Sequence, residues 1–305
     1  MRFTLFVILL LFAQIATAFV RIKDGQFCAN NIPTPIVGIN IGIQHANPPT
    51  FKLLHNIGFN AVRVRVDDLK QLKPILKIAR KNHIYLLIVL NEKADLQLVQ
   101  KYTKRTEILA WETSTLQQAQ FIKQIDANHL VCTSAPEELY TRNTHKREQQ
   151  ERSKYIDFLT LQLHPLDYKW VSPTSLYMGL NNAFLQTTSY VNELQRTASF
   201  NNKPLVVTSC SYPRDKMFRY EDSTTLNRNA YFSTVLYMTK QQGNESPSIA
   251  GCFFTQWAMP SEITDDTPKN TATQSIYATD SATISLLQKN KVIINKQTFY
   301  RHEKY

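Results

Sequence analysis

Cysteine is scarce in this chain: Cys28, Cys132, Cys210 and Cys252 are the four in 305 residues, far apart and without a C-x-x-C pair. This excludes a zinc module or a disulfide-dense scaffold as the basis of the fold. Three of the four stand in apolar, strand-like runs, which predicts buried thiols acting as small hydrophobes, although export would permit one or two bridges. Cys210 and Cys252 fall on neighbouring predicted strands, and whether they pair is a question of geometry. The seven histidines show no H-E-x-x-H or comparable spacing, so no catalytic metal is expected. In "VGINIGIQ", Gly38 and Gly42 lack a third glycine at dinucleotide-fingerprint spacing, so a nucleotide-binding reading is disfavoured and no cofactor is expected. No G-x-S-x-G elbow marks a serine hydrolase. Positive charge is in excess at +11, but it is scattered through "KQLKPILKIARK", "KYTKR" and "THKRE" rather than gathered with aromatics. A solvated basic surface follows, and no nucleic-acid partner is expected.

The chain opens with "MRFTLFVILLLFAQIATA": Arg2, a run from Phe3 to Phe12 that is apolar except for Thr4, then small residues at Ala16 and Ala18. This predicts a secretory signal peptide over 1–18, cleaved after Ala18. The run is shorter than the ~20 residues a bilayer span needs, and no second apolar span follows, so a secreted or periplasmic protein free of the membrane is expected after cleavage. Asn244-Glu245-Ser246 is a formal glycosylation acceptor, with Pro247 behind it.

Beyond residue 18, β-branched runs alternate with longer helical patterns. The predicted strands are "TPIVGIN", "NAVRVRV", "IYLLIVL", "EILAWE", "HLVCTS", "IDFLTLQLH", "PLVVTS" and "IAGCFFTQW". Between them lie helical segments, among them "DLKQLKPILKIARKN", where Leu69, Leu72, Leu76 and Ala79 share one face and Pro74 threatens a kink. "ADLQLVQKYTK" and "PEELYTRNTHKREQQERSK" are also expected to be helical. Eight strand-helix units predict an α/β fold, a single-domain (β/α)8 TIM barrel over 19–305. In such a barrel the chemistry projects from the C-terminal ends of the strands.

At one of those ends a charge is missing. "KPLVVTSCSYPRD", Lys203 to Asp215, reads as a buried strand entering a polar turn, with the neutral Thr208, Ser209, Cys210 and Ser211 at the junction. Together with "GFNAVRVRVDD", "ILAWE", "FIKQIDANHLVCTS", "YIDFLTLQLHPLDYKW" and "IAGCFFTQW", in this order, it resembles the secreted endo-β-1,4-mannanases of glycoside hydrolase family 5. The resemblance implies a retaining mechanism in which one glutamate is acid/base and another attacks the anomeric carbon, about 5 to 5.5 Å apart. The family's Trp-Glu falls on Trp111-Glu112, but Thr113-Ser114-Thr115 follow where Asn-Glu-Pro is expected. The nucleophile falls on Ser209. Of the family's His-hydrophobic-Tyr-Pro, the histidine falls on Gln162 and the tyrosine on His164, while Pro165 and Trp170 match. One tryptophan of an aromatic pair falls on Thr255, and Trp257 remains.

Arg63 matches the arginine that in the family reaches the nucleophile, so here it needs another partner: Glu112 or a bound ligand. The resemblance therefore implies a mannanase-like protein that is inactive or impaired, with β-mannan or a related glycan as its partner. Arg63, Gln162, His164, Trp170, Tyr212 and Trp257 are its candidate binding residues, with Tyr168 beside them, while Trp111, inside a strand, is expected in the core. A serine without an activating base is a weak nucleophile. The alternative is an active hydrolase with relocated carboxylates, drawn from Asp67, Asp68, Glu92, Glu112, Glu137, Asp167, Glu262 and Asp265. A Ser-His or Cys-His hydrolase built from Ser209, Cys210 and His164 needs an orienting partner for the histidine, and Asp167 is the candidate.

Overall fold

Runs of Val, Ile and Leu become strands wherever both faces can be buried, and the computed structural model shows how they assemble. It describes residues 19–134, 148–149, 151–217, 223–240, 248–259, 262, 267 and 269–291. The expected signal peptide, the glycosylation acceptor and most of "PEELYTRNTHKREQQERSK", residues 136–147 and 150, lie outside the described residues.

Three short strands, β1 (Arg21–Lys23), β2 (Gln26–Ala29) and β3 (Ile32–Pro33), form an antiparallel sheet. Their turn places Asp24 and Gly25 at φ 51° and 70°. Eight parallel strands then follow: β4 (Ile36–Ile41), β5 (Ala61–Val66), β6 (Tyr85–Leu90), β7 (Ile108–Thr113), β8 (Leu130–Thr133), β9 (Leu159–Leu163), β10 (Leu205–Cys210) and β11 (Gly251–Phe254). They pair in the order β8-β7-β6-β5-β4-β11-β10-β9. The remaining seam, between β8 and β9, is bridged rather than laddered. Asp157 N–H donates to the Val131 carbonyl at 2.8 Å, its carboxylate accepts from Val131 N–H at 2.6 Å, and the Thr160 hydroxyl donates to the Thr133 carbonyl at 2.8 Å. The result is the expected (β/α)8 TIM barrel.

Covering helices are α1 (Pro48–Ile57), α2 (Leu72–Lys81), α3 (Leu116–Ile125), α4 (Leu176–Phe200), α5 (Leu226–Lys240), α6 (Lys269–Gln274) and α7 (Ser281–Lys289). Asn47 caps α1 by accepting from Thr50 N–H, and Gly58 ends it at φ 116°, a conformation only glycine takes without cost. In α2, Leu72, Ile75, Leu76 and Ala79 face the core, each larger side chain contributing about 1.5–3 kcal/mol by burial. Pro74 does not kink it: the α-helix begins at Leu72, so Pro74 sits in the first turn, where no intrahelical partner is lost. "ADLQLVQKYTK" forms a 3-10 helix over Leu96–Tyr102 in place of the expected α-helix.

The N-terminal sheet closes the bottom of the barrel. Val20, Phe27 and Ala29 join Ile36, Ala61, Tyr85, Phe158, Val206 and Phe253 in the interior layer, Phe27 meeting Phe158 edge-on at 5.3 Å. Phe253 crosses the axis so closely that a Cβ on Gly38 would stand 2.4 Å from its ring, which explains a glycine inside β4. With the lower end filled, the upper end is left for function.

Candidate functional site

Alternation along the strands turns Asn40, Arg63, Arg65, Glu112, Gln162, Ser209 and Thr255 toward the upper interior. At its centre, Arg63 holds Glu112 with two parallel bonds, Nε to Oε2 at 2.7 Å and Nη2 to Oε1 at 2.6 Å. The Ser134 hydroxyl donates to Oε1 at 2.7 Å, and Arg63 Nη1 donates to Asn40 Oδ1 at 2.7 Å. Asn40 in turn donates to the carbonyls of Thr208 at 3.0 Å and Phe254 at 2.9 Å, tying the network to β10 and β11. The Glu112 side chain is 0% exposed and that of Arg63 20%. Burial alone would raise the Glu112 carboxyl, but the adjoining Arg63 and the Ser134 hydroxyl hold it below the usual carboxylate range. A carboxylate so fixed is ionised and occluded, unfit to deliver a proton or attack a sugar. Of the two partners expected for Arg63, Glu112 is the one it has.

On β10 the register slips after Val207 against both neighbouring strands: Val207 faces Leu161 and Ser209 faces Gln162 on β9, and Val207 faces Cys252 and Cys210 faces Phe254 on β11. Thr208 is the extra residue of this bulge, and its hydroxyl donates to the Leu161 carbonyl at 3.2 Å. Ser209 is thereby turned to its neighbour on the other side, with its Oγ 2.9 Å from Thr255 Oγ1.

His164 Nδ1 lies 3.2 Å from the Asp167 carboxylate, so the orienting partner is in place, yet the buried Nε2 has no hydrogen-bond partner. It therefore does not activate Ser209. Cys210 is fully buried, its thiol driven well above the ordinary range by desolvation and by the adjoining Cys252 thiol. Neither a Ser-His nor a Cys-His nucleophile is assembled. All four cysteines are free and buried.

The aromatic candidates separate into two groups. Trp170 and Tyr168 are half-buried on the rim, in a chain with His164 and Tyr190 in which neighbouring ring centroids are 5.1 to 6.2 Å apart. Gln162 is half-buried below them, its carbonyl accepting from the Tyr168 hydroxyl at 3.2 Å. Trp257 and Tyr212 must be corrected. Strand β11 ends at Phe254, and Trp257 lies in a separate short pair, β12 (Trp257–Ala258) with β13 (Ile276–Tyr277), at 1% exposure. Tyr212 is 0% exposed, its hydroxyl donating to the Leu176 carbonyl and its ring packed on Tyr231. Both ring faces are covered by protein and offer no sugar platform. Trp111 is core as expected, donating to Asp126 at 2.9 Å.

Most other described rim carboxylates are engaged: Asp67 accepts from Asn91, Asp68 caps a 3-10 turn, and Glu262 meets His45 at 2.9 Å. Glu92 is exposed, and Glu137 and Asp265 lie outside the described residues. Among the described residues no cluster could hold a metal, and no helix is long and apolar enough to cross a membrane.

The family model for the glycoside hydrolase family 5 β-mannosidase-like proteins matches residues 99–297, well over half of the chain. The chain belongs to this family. As a family 5 mannosidase-like barrel it overlays the family 5 mannosidase of Rhizomucor miehei at TM-score 0.73, with 13% identity over 92% of this chain and 97% of that one. A complex of a glutamate-to-alanine variant of that enzyme with mannosyl-fructose gives 0.71 at the same identity and coverage. The endo-1,4-β-D-mannanase of Thermotoga petrophila gives 0.60, with 15% identity over 84% and 98%. At these identities the overlays speak for the fold. No curated protein matches this mannosidase-like chain in sequence.

Residues that sequence reading passed over complete the site. Asn40 and Ser134 give no local signal, being ordinary polar residues until the barrel closes. Arg65 was legible, since "VRVRV" sets Arg63 and Arg65 on one face.

Proposed function

We propose that this is an exported, non-hydrolytic family 5 barrel whose upper mouth binds β-mannan or a related saccharide. The observation that carries this reading is the state of the expected nucleophile position and of the candidate relocated carboxylate: Ser209 is hydrogen-bonded to Thr255, and Glu112, which stands near the end of the fourth barrel strand, is locked onto Arg63. Retaining hydrolysis needs two opposed carboxyls, one of them protonated. Glu112 is held ionised, and a serine beside a threonine has no base to take its proton. Binding makes smaller demands. Trp170 and Tyr168 keep ring surface at the rim, and hydroxyl and amide groups of Ser209, Thr255 and Gln162 line the mouth.

The mannosyl-fructose complex of the Rhizomucor miehei relative supports a mannose-containing ligand. The test is to titrate mature protein with mannan, glucomannan and mannosyl-fructose, recording binding heat and reducing-end release separately. Heat without release is expected. Release that Glu112→Gln abolishes would overturn the proposal in favour of relocated carboxylates.

A further inference from the structure

In the upper interior of the barrel, among the described residues, positive charge exceeds negative. Among the described inward-facing residues of the barrel strands' upper halves, two arginines, Arg63 and Arg65, are set against one carboxylate, Glu112. Arg63 and Glu112 neutralise each other, so the charge of Arg65 is left over. Arg65 is exposed at the end of β5, and among the described residues it has no hydrogen-bond or ion-pair partner. It shares its face with Arg63 by strand alternation, and its field reaches Glu112. Beyond the strand end, Asp67 is held by Asn91 at 3.1 Å.

Arg63 also has capacity to spare. A guanidinium carries five N–H donors, and three of those on Arg63 are engaged, two by Glu112 and one by Asn40. Its partly exposed side chain leaves the other two to a ligand. Through Asn40 it stands one residue from the backbone that carries Ser209 and Thr255, and of these two hydroxyls the one that accepts in their mutual bond keeps its own O–H to donate to an anion but brings no charge.

We infer that the mouth prefers an acidic saccharide, a β-1,4-linked oligouronate whose carboxylate is received by Arg65 and the unengaged N–H groups of Arg63. This rests on the saccharide-binding reading above and names the class of ligand within it. An oligomannuronate has the backbone of β-1,4-mannan and differs from it in carrying a carboxylate at C6, so the two form a matched pair of probes.

Calorimetric titration of the mature protein with an oligomannuronate and a neutral mannooligosaccharide of equal length is the test. The uronate should bind at least about tenfold more tightly, as expected for one charge-assisted contact. Its affinity should fall as salt rises from about 0.05 to 0.5 M, where the screening length shortens severalfold. Arg65→Gln, a change at an exposed side chain, should leave the melting temperature unchanged and cost about tenfold more in affinity for the uronate than for the neutral ligand. Equal or tighter binding of the neutral ligand, or an unchanged uronate affinity in Arg65→Gln, would overturn the inference while leaving saccharide binding intact. Failure of both probes to bind would overturn the inference and the reading beneath it.

Discussion

Ser209 on β10 and Thr255, the residue that follows β11, share a hydrogen bond of 2.9 Å. They occupy the positions where the family resemblance expects an attacking glutamate and a sugar-stacking tryptophan. The two changes fit together, because the two small hydroxyls are hydrogen-bonded to each other at the half-buried base of the mouth. A carboxylate restored at this position would stand beside the Asn40–Arg63 network without an acid opposite it. Ser209→Glu is therefore expected to show no mannan hydrolysis above the parent in a reducing-sugar assay; activity in that single variant would show that the acid/base is present after all.

Glu112 is a structural partner in this account, and its removal separates structure from catalysis. Glu112→Gln leaves the Arg63 cation without its counter-charge in the barrel interior, and losing one partner of a buried pair costs about 3–5 kcal/mol. A marked fall in the urea midpoint is expected, with no change in product release from mannan. A stable variant with altered release would assign Glu112 to chemistry instead.

The β-branched runs made all eight barrel strands legible, since a strand buried on both faces, such as Tyr85–Leu90, has little choice of composition. The neutral residue on the seventh barrel strand was legible too, because Ser209 stands in β10 within a sequence frame that is otherwise intact. What escaped depends on contacts distant in sequence. Trp257 and Tyr212 read as rim aromatics beside strand ends, yet Trp257 is drawn inward by a short pairing with Ile276–Tyr277 and Tyr212 by the carbonyl of Leu176 and the ring of Tyr231. The bulge at Thr208 likewise has no local signature, being set by registers with two other strands. Arg63 had two candidate partners in the sequence, and closure of the barrel selected Glu112.

Four buried, free cysteines make a simple count. In native buffer a thiol reagent should titrate none of them rapidly, since Cys132 and Cys210 are pushed far above the ordinary thiol range by desolvation. In denaturant all four should react. A denatured count of two would reveal a bridge, and Cys210 with Cys252 would be its first suspects.

Asp280 anchors two buried arginines, accepting from Arg214 on one oxygen and from Arg228 on the other at 3.2 Å. Arg228 is fully buried; desolvation lowers its pKa to about 10, with the neighbouring Arg214 adding to the effect and Asp280 opposing it. Asp280→Asn would leave two interior cations facing each other, and a loss of about 3–5 kcal/mol is expected in chemical unfolding. Replacing Arg214 by Met in the same variant should recover part of that loss, because it removes one of the unpaired charges. No recovery would mean that the two arginines do not act on one another.

Acid should unfold the protein through its paired carboxylates, and the sign follows from their environments. For Glu112 and Asp126 burial opposes ionisation, but Arg63 and Ser134 around the first, and His129, Trp111 and the Asn128 amide around the second, hold both below their ordinary values. A carboxyl with a native pKa below its unfolded value of about 4 adds stability that is complete above that value. The contribution is lost as pH falls through the depressed native value. The urea midpoint is thus expected to be flat with respect to these two groups from about pH 7 to 5 and to fall below about pH 4. Replacing the ion pair as a unit, Arg63→Met with Glu112→Leu, removes one of the two titrations without leaving a lone charge and should flatten the acid limb. An acid limb as steep as the parent's in that double variant would show that Glu112 does not contribute to it.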